Sequence, residues 1–364
     1  MTTQTKTKVI IAMSGGVDSS VCGLLMKEQG YDCVGMTMRL WTAPEKSCDK
    51  DSKSCCGSQS VEDARLVAEK IGFPFYAINF QRDFWKEVIE VFADEYFKGR
   101  TPSPCILCNE KMKFDSLYNK ALSIGAEKVC TGHYARVEYN EEMDRWHLRK
   151  GIDEKKDQSY FLFSMTQNQL AKTLFPLGGY TKPEIREMAL NAGLVTAKKA
   201  ESQDICFIPN NDYTAFLNTH FPDRIPQNGI IRHANGKELG EHQGIHSVTV
   251  GQRRGLGVAF GQPLYVTAID PHKNEVIVDE RENTNGSSFT VNKVNWVYLN
   301  PQIGKEYPLQ IKIRARSKEV FGKVIPLEGN RAQVIFETPQ HAITPGQASV
   351  FYHEDYVFGG GWIE

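Results

Sequence analysis

Three groups of residues in this chain could do chemistry. The first is Ser14-Gly15-Gly16-Val17-Asp18-Ser19, directly after the apolar run Val9-Ile10-Ile11-Ala12-Met13. That run is short enough to be a buried parallel strand. Behind it, Val21, Leu24 and Leu25 fall on one face of a helix over Val17 to Glu28, with Gly30 as a stop. A strand, a glycine turn and a helix N-terminus make an anion site, with exposed backbone N–H groups and a favourable helix dipole. Gly15 and Gly16 let a phosphate approach where a Cβ would clash. Ser14, Ser19 and Ser20 add hydroxyl donors. The Gly-Lys-Ser/Thr ending of a Walker loop is missing. The competing reading is an ordinary strand-to-helix turn.

The second group is Cys105-Ile106-Leu107-Cys108, after Thr101-Pro102-Ser103-Pro104. Two prolines predict an exposed, non-helical loop. A helix over Phe114–Ile124 then places Cys108 near a helix N-terminus, with Lys111 and Lys113 close by; both features raise the thiolate fraction. The third group is Cys206 in Ile205-Cys206-Phe207-Ile208. Its apolar neighbours equally suit a core thiol. The Cys-x-x-Cys pair equally suits half of a zinc site, although no second pair completes it.

Residues 8 to about 200 supply the elements that must hold these groups. Short apolar runs predict strands over Val9–Met13, Cys33–Met38, Phe75–Phe80 and Lys128–Thr131, alternating with helices over Val61–Ile71 and Asp83–Lys98. Thr181, Pro183 and Glu184 form a capping-box signature for a further helix. The alternation predicts an α/β fold with a doubly wound, Rossmann-like parallel sheet. Ligands in such sheets bind beyond the carboxyl ends of strands, which is where the first loop, Met38 and Gly132-His133 would meet. From about Phe216 the helical period fades. Alternating stretches at Leu264–Ile269, Glu275–Val278, Leu309–Ala315, Gln333–Phe336 and Ala348–Tyr352 predict a small β-barrel or sandwich. We divide the chain into residues 1–212, a central module over 213–283 and a C-terminal β-barrel over 284–364. The segment Thr42–Ser60, with Cys48, Cys55 and Cys56, reads as a loop.

Composition narrows the function classes. With 364 residues, 41% hydrophobic and 24% charged, the chain reads as globular, with two or three domains. Nine cysteines, an odd number in a chain too large to need staples, fit a reducing compartment with thiols kept for chemistry. No run is long enough to span a bilayer and Met1 to Lys8 has no apolar core, so a cytoplasmic, soluble protein is expected. A net charge of −1 means that any nucleic-acid binding must come from local patches. The best patch is Ile311 to Lys318: in one strand, Lys312, Arg314, Arg316 and Lys318 would share a face and repel unless phosphate covers them. A solvated barrel face is the competing reading. Lys155-Lys156, Lys198-Lys199 and Arg253-Arg254 are weaker extensions.

Several motifs occur in order: Ser14–Ser19, Gly99-Arg100-Thr101-Pro102, Cys108-Asn109, Thr131-Gly132-His133-Tyr134, Lys156-Asp157-Gln158-Ser159-Tyr160-Phe161, Ile205–Ile208 and Thr344-Pro345-Gly346-Gln347. Together they resemble the bacterial tRNA-specific 2-thiouridylases, members of the PP-loop ATP pyrophosphatases, over nearly the whole chain. The resemblance implies ATP-dependent replacement of the 2-oxygen of the wobble uridine by sulfur in tRNAs for Lys, Glu and Gln. It implies that Ala12, Met13, Ser14, Gly15, Gly16, Val17, Asp18 and Ser19 hold ATP phosphates with Mg²⁺, and that Met38 and Gly132 contact the adenosine. It implies that Cys206 carries a persulfide loaded by an outside donor or relay protein, and that Cys108 ends in a disulfide with it. Ser103, Pro104 and Cys105 would meet the target base. His133, Lys156, Asp157, Gln158, Arg314, Ala315 and Gln347 would contact tRNA, the central module would bind RNA, and the protein would act as a monomer.

Three positions depart from the family pattern. Ser103 and Cys105 stand where Asn and Asp are common, and Ala315 where an aromatic is common. Cys105 makes a third thiol, which opens a second route: a [4Fe-4S] cluster on Cys105, Cys108 and Cys206 with one open iron. Asp157 equally suits a cap for a helix starting near Ser159. The rival functions are a ligase that adenylates a small molecule, and a non-catalytic, ATP-gated RNA-binding protein.

Overall fold

The computed structural model describes residues 6–41, 58–200 and 205–364. The expectations for Cys48, Cys55 and Cys56 lie outside the described residues.

Val9, Ile10 and Ile11 are fully buried, so β1 (Lys8–Ala12) takes the centre of the first sheet. It pairs in parallel with β2 (Asp32–Arg39), and β2 with β3 (Phe75–Asn79). On its other side come β4 (Lys128–Cys130) and, beyond the hairpin β5 (Ala135–Asn140) and β6 (Arg145–Lys150), the short β7 (Thr173–Leu174). The order β3-β2-β1-β4-β7 is entirely parallel. Side chains alternate across β1. Val9 and Ile11 pack with α1 (Val17–Glu28), α2 (Ser58–Ile71) and the Lys182–Asn191 helix, whereas Ile10 packs with Leu117 and Ala121 on the opposite face. The sheet is therefore doubly wound, as expected.

Apart from the helix Tyr213–His220 and single 3-10 turns, the regular structure of the second half is strand. In the central module, β8 (Gly229–His233), β9 (Glu238–His242), β10 (Tyr265–Asp270) and β11 (Glu275–Asp279) form one sheet in the order β10-β11-β8-β9. The C-terminal strands are β12 (Asn285–Trp296), β13 (Tyr307–Lys312), β14 (Val320–Leu327), β15 (Arg331–His341), β16 (Ala348–His353) and β17 (Tyr356–Ile363). They run in the order β12-β15-β14-β13-β16-β17, and β12 pairs with β17 to close the barrel.

The hairpin β5–β6 joins this barrel sheet, with Tyr356 opposite Arg149. Asp355 accepts hydrogen bonds from Arg136 and Arg149 at 2.7 Å each, and its carbonyl takes the Lys150 N–H at 2.8 Å. Among the described residues, no helix is long and apolar enough to cross a membrane.

Two expectations need correction. The segment around Cys105 is helical from Pro104 onward, because a proline at the first helical position loses no hydrogen bond and already has the right φ. The alternating stretch Ile311–Lys318 does not form one strand. β13 ends at Lys312, and residues 313–317 turn, so the four cations share no face.

Candidate active site at the sheet rim

Met13 leaves β1 tied to β2. Its N–H donates to the Met36 carbonyl at 2.8 Å, and its own carbonyl takes the Thr37 hydroxyl at 2.7 Å. Gly15 turns with φ +72°, and a Cβ there would lie 2.1 Å from the Ser60 carbonyl oxygen. Ser19 Oγ accepts the Ser14 N–H at 3.1 Å and donates to the Gly16 carbonyl at 3.2 Å. Gly16 caps α1 without a side-chain acceptor, so the first-turn N–H groups suit an outside anion.

Two lysines join this loop. Lys182 Nζ donates to both carboxylate oxygens of Asp18 at 2.7 Å, and the Tyr134 hydroxyl donates to the same group at 2.7 Å. The Lys182 side chain is only 8% exposed, and the Asp18 carboxylate offsets the cost of burying its ammonium. Lys199 Nζ donates to the Gly15 carbonyl at 2.9 Å and to Asp63 at 2.6 Å. The dilysine Lys198-Lys199, weighed above for RNA, thus places one member on the anion loop.

The turn after β4 presses on the same loop. A Cβ on Gly132 would meet Asp18 Cβ and the Ser19 nitrogen at 3.1 Å. The next residue, His133, is buried. The Thr131 hydroxyl lies 2.6 Å from its Nδ1 and Lys113 Nζ lies 3.4 Å from its Nε2. An ammonium only donates, so Nε2 is the acceptor and the proton sits on Nδ1. Burial, then the Lys113 charge, pushes the His133 pKa well below the usual imidazole value.

Gln158 braces this turn through the Tyr134 N–H at 3.0 Å and the Tyr134 carbonyl at 2.9 Å. Asp157 accepts from the Gly151 N–H at 3.1 Å and from Ser159 Oγ at 2.8 Å. It is not the cap of the Ser159–Leu162 turn, which is Gln158; Asp157 stands one position earlier and accepts the Ser159 N–H at 3.1 Å. Burial raises its pKa, against those hydrogen bonds. Lys156 lies half-buried beside them.

The cysteine helix runs over 104–122, with its middle stretch, Cys108–Ser116, π-helical. Ser103 is its half-buried cap and Pro104 is buried. Cys105 is exposed, but protein packed around it raises its pKa while the Lys113 charge lowers it. Cys108 sits in the second turn rather than at a helix start. Lys111 is spent on Glu110 at 2.8 Å. Asn109 is buried and donates to the Phe161 carbonyl at 3.0 Å.

Cys206 is carried by a turn whose Phe207 is buried edge-on against Phe84, Phe92 and Phe216. Cys108 and Cys206 lean on this one apolar cluster, and both are half-buried. Among the described residues, no group of three metal donors includes any cysteine; the one such group is His233, Asp279 and Glu280. There the Asn235 N–H occupies His233 Nδ1 at 3.1 Å, which leaves the proton on Nε2 and no lone pair for a cation.

The barrel clamps the residues before the cysteine helix. The Thr101 N–H donates to the Pro345 carbonyl at 2.9 Å, and Arg100 donates to the Ile363 carbonyl at 2.9 Å. Gln347 Nε2 donates to the carbonyls of Thr101 and Pro102 at 2.9 and 3.2 Å. Arg314 folds inward to Thr344 Oγ1 at 3.0 Å and to the Ala342 carbonyl. Arg314, Gln347, Thr101, Tyr213 and Thr249 line a cleft of about 460 Å³ where the three domains meet. Ala315 packs against the apolar cluster beneath the barrel.

Family models match all three units. A tRNA methyl transferase HUP domain matches residues 7–210, a tRNA methyl transferase PRC-barrel domain matches 214–280, and an aminomethyltransferase beta-barrel domain matches 286–363. A protein of Heliobacterium modesticaldum named tRNA-specific 2-thiouridylase MnmA is 48% identical over 98% of this chain and 92% of its own length. One of the same name from Geobacter metallireducens is 47% identical over 100% of this chain and 98% of its own. The chain belongs to the tRNA-specific 2-thiouridylase family. Likeness to solved structures is looser. A 4-thiouridine synthetase–RNA complex with bound ATP aligns with 60% of this chain and 51% of that one, at 19% identity and a TM-score of 0.37.

Within this family member, sequence reasoning missed Lys182, and it did not connect Lys113 with His133. Nothing local signals the first, since Asp18 and Lys182 are 164 residues apart. The second had a signal in the Thr131-Gly132-His133 motif, but its partner lies on another helix.

Proposed function

We propose that this chain is an ATP-dependent tRNA-uridine 2-sulfurtransferase. In this reading it splits ATP into AMP and pyrophosphate and places sulfur at C2 of the wobble uridine in tRNAs for Lys, Glu and Gln. Its relatives carry the 2-thiouridylase name over their full length. One observation carries the reading: the turn after β4 touches the anion loop through Gly132 and the cysteine helix through His133. In this reading, nucleotide and thiol chemistry would adjoin.

The chemistry follows from a poor leaving group. Adenyl transfer forms a bond between uridine O2 and the α-phosphorus. The bond to pyrophosphate breaks, pyrophosphate keeps the electron pair, and the N3 proton is lost to water. Residues Ala12 to Ser19 would hold the phosphates, and Mg²⁺ arriving with ATP would offset their charge. The terminal sulfur of a Cys206 persulfide then attacks C2, and the C2–O2 bond breaks to release AMP. The Cys108 thiolate attacks Cys206 Sγ. The base keeps the outer sulfur, N3 takes back a proton from water to give the thiocarbonyl, and Cys108 and Cys206 become a disulfide that a thiol reductant must reopen. An outside persulfide donor reloads Cys206.

The test is sulfur incorporation into an unmodified tRNA-Glu transcript with ATP, Mg²⁺ and a persulfide donor, read by mass spectrometry of the nucleosides. A 2-thiouridine peak that requires ATP is expected. AMP formation without RNA and without that peak would instead favour the small-molecule ligase.

A further inference from the structure

Lys113 is a half-buried cation. Among the described residues its Nζ has one hydrogen-bond partner, the neutral His133 Nε2 at 3.4 Å, and no carboxylate at ion-pair distance. The other lysines of the region are engaged: Lys111 with Glu110, Lys182 with Asp18 and Lys199 with Asp63. Drawing an ammonium partly out of water is unfavourable unless an anion completes the arrangement. The surroundings say where that anion would lie. On one side, His133 follows Gly132, which abuts Asp18 and the Ser19 nitrogen of the anion loop. On the other, Lys113 is close enough to Cys105 for its charge to act on that thiol.

We propose that Lys113 contacts the α-phosphoryl group as it passes from ATP to the uridine oxygen, and that Thr131 and His133 position it. The inference rests on the sulfurtransferase reading above. As the O2–phosphorus bond forms and the bond to pyrophosphate breaks, negative charge moves across the phosphoryl oxygens. A fixed ammonium there stabilises the transition state more than the ground state. Lys113 forms no bond and gives up no proton. The Thr131 hydroxyl holds the imidazole in the tautomer that offers Nε2 to the ammonium.

The test uses full-length protein, tRNA transcript and ATP, with pyrophosphate release and 2-thiouridine followed in parallel. Lys113→Met is expected to lower kcat for pyrophosphate release about 100-fold, with KM for ATP changed less than about twofold. Lys113→Arg should recover to within about tenfold of the wild type, and Thr131→Val should lose about fivefold through His133 alone. Lys113→Gln serves as the second neutral variant if Lys113→Met folds poorly. A wild type that makes no 2-thiouridine overturns the sulfurtransferase reading. An active wild type with Lys113→Met within about twofold in kcat overturns the Lys113 assignment alone. A loss confined to 2-thiouridine, with pyrophosphate release intact, also overturns it, because the cation would then serve the thiol step.

Discussion

The side-chain amide of Gln347, on the C-terminal barrel, donates to the Thr101 carbonyl at 2.9 Å and thereby sets the approach to the cysteine helix of the first domain. A second bond, to the Pro102 carbonyl at 3.2 Å, fixes the residue next to the helix cap Ser103. Gln347→Ala should therefore act at a distance. The two bonds stabilise by about 1 kcal/mol each, but a small shift of the helix start costs more in rate. We expect 2-thiouridine formation to fall about 10- to 100-fold with KM for ATP unchanged. Gln347→Glu, which sets a carboxylate against two carbonyls, should be worse. Equal rates for Gln347→Ala and wild type would show that the clamp is dispensable.

Asp18 serves two ends that can be separated. Asp18→Ala should abolish pyrophosphate release, and it should destabilise the fold by about 3 kcal/mol because the buried Lys182 ammonium loses its carboxylate. Pairing Asp18→Asn with Lys182→Met removes both charges. That double variant should regain most of the stability in urea titration and none of the activity. Recovered activity would remove Asp18 from the nucleotide chemistry.

The three thiols should differ sharply. Cys206→Ser should still release pyrophosphate but yield no thiolated RNA, and Cys108→Ser should stall with sulfur on the base–enzyme adduct. Cys105→Ser should keep most of both activities if sulfur travels as a persulfide. Anaerobic purification separates this from the cluster route. Stoichiometric iron and visible absorption, lost in Cys105→Ser, would establish the cluster instead.

Acid should loosen the joint between hairpin and barrel. Burial pushes the Asp355 pKa up, but hydrogen bonds and charge from Arg149 and Arg136 outweigh it and hold the carboxyl below the ordinary aspartate value. Glu138, beside Arg149 and Tyr356, is likewise held below its ordinary value. A depressed carboxylate contributes stability that is present above its unfolded pKa and is lost as pH falls through the folded one. The urea midpoint should therefore decline below about pH 4, and Asp355→Asn should flatten part of that decline. Identical profiles for the two proteins would rule the network out as its source.

Much of this site is legible locally. The strand before Ser14, the helix after it and the capping box at Thr181 and Glu184 all form as their residues dictate, because each depends on neighbours within a few positions. The failures are instructive. Pro104 reads as a helix breaker, yet it opens a helix, since proline disrupts only where an N–H is needed. Period-two alternation in Ile311 to Lys318 suggests a strand, but the pattern says nothing of a turn that aims Arg314 at the Ala342 carbonyl. β5 and β6 escape notice because Arg136, Glu138 and Arg149 point to ionic partners more than 200 residues later in two cases and not into a core. Lys182 and Lys113 acquire their roles only through tertiary contacts.

The hairpin's place in the barrel sheet has a consequence for synthesis. β6 leaves the ribosome roughly 200 residues before its partner strand, a wait of about 10 to 40 s at about 5–20 residues per second. Through that interval its outer edge presents unpaired backbone groups, the usual template for aggregation. Arg145, Arg149 and Lys150 line that strand. Arg149→Leu is therefore expected to lower the soluble yield of the full chain during rapid expression, even where the folded protein tolerates it. The charges that later lock the barrel in place first keep the nascent edge in solution.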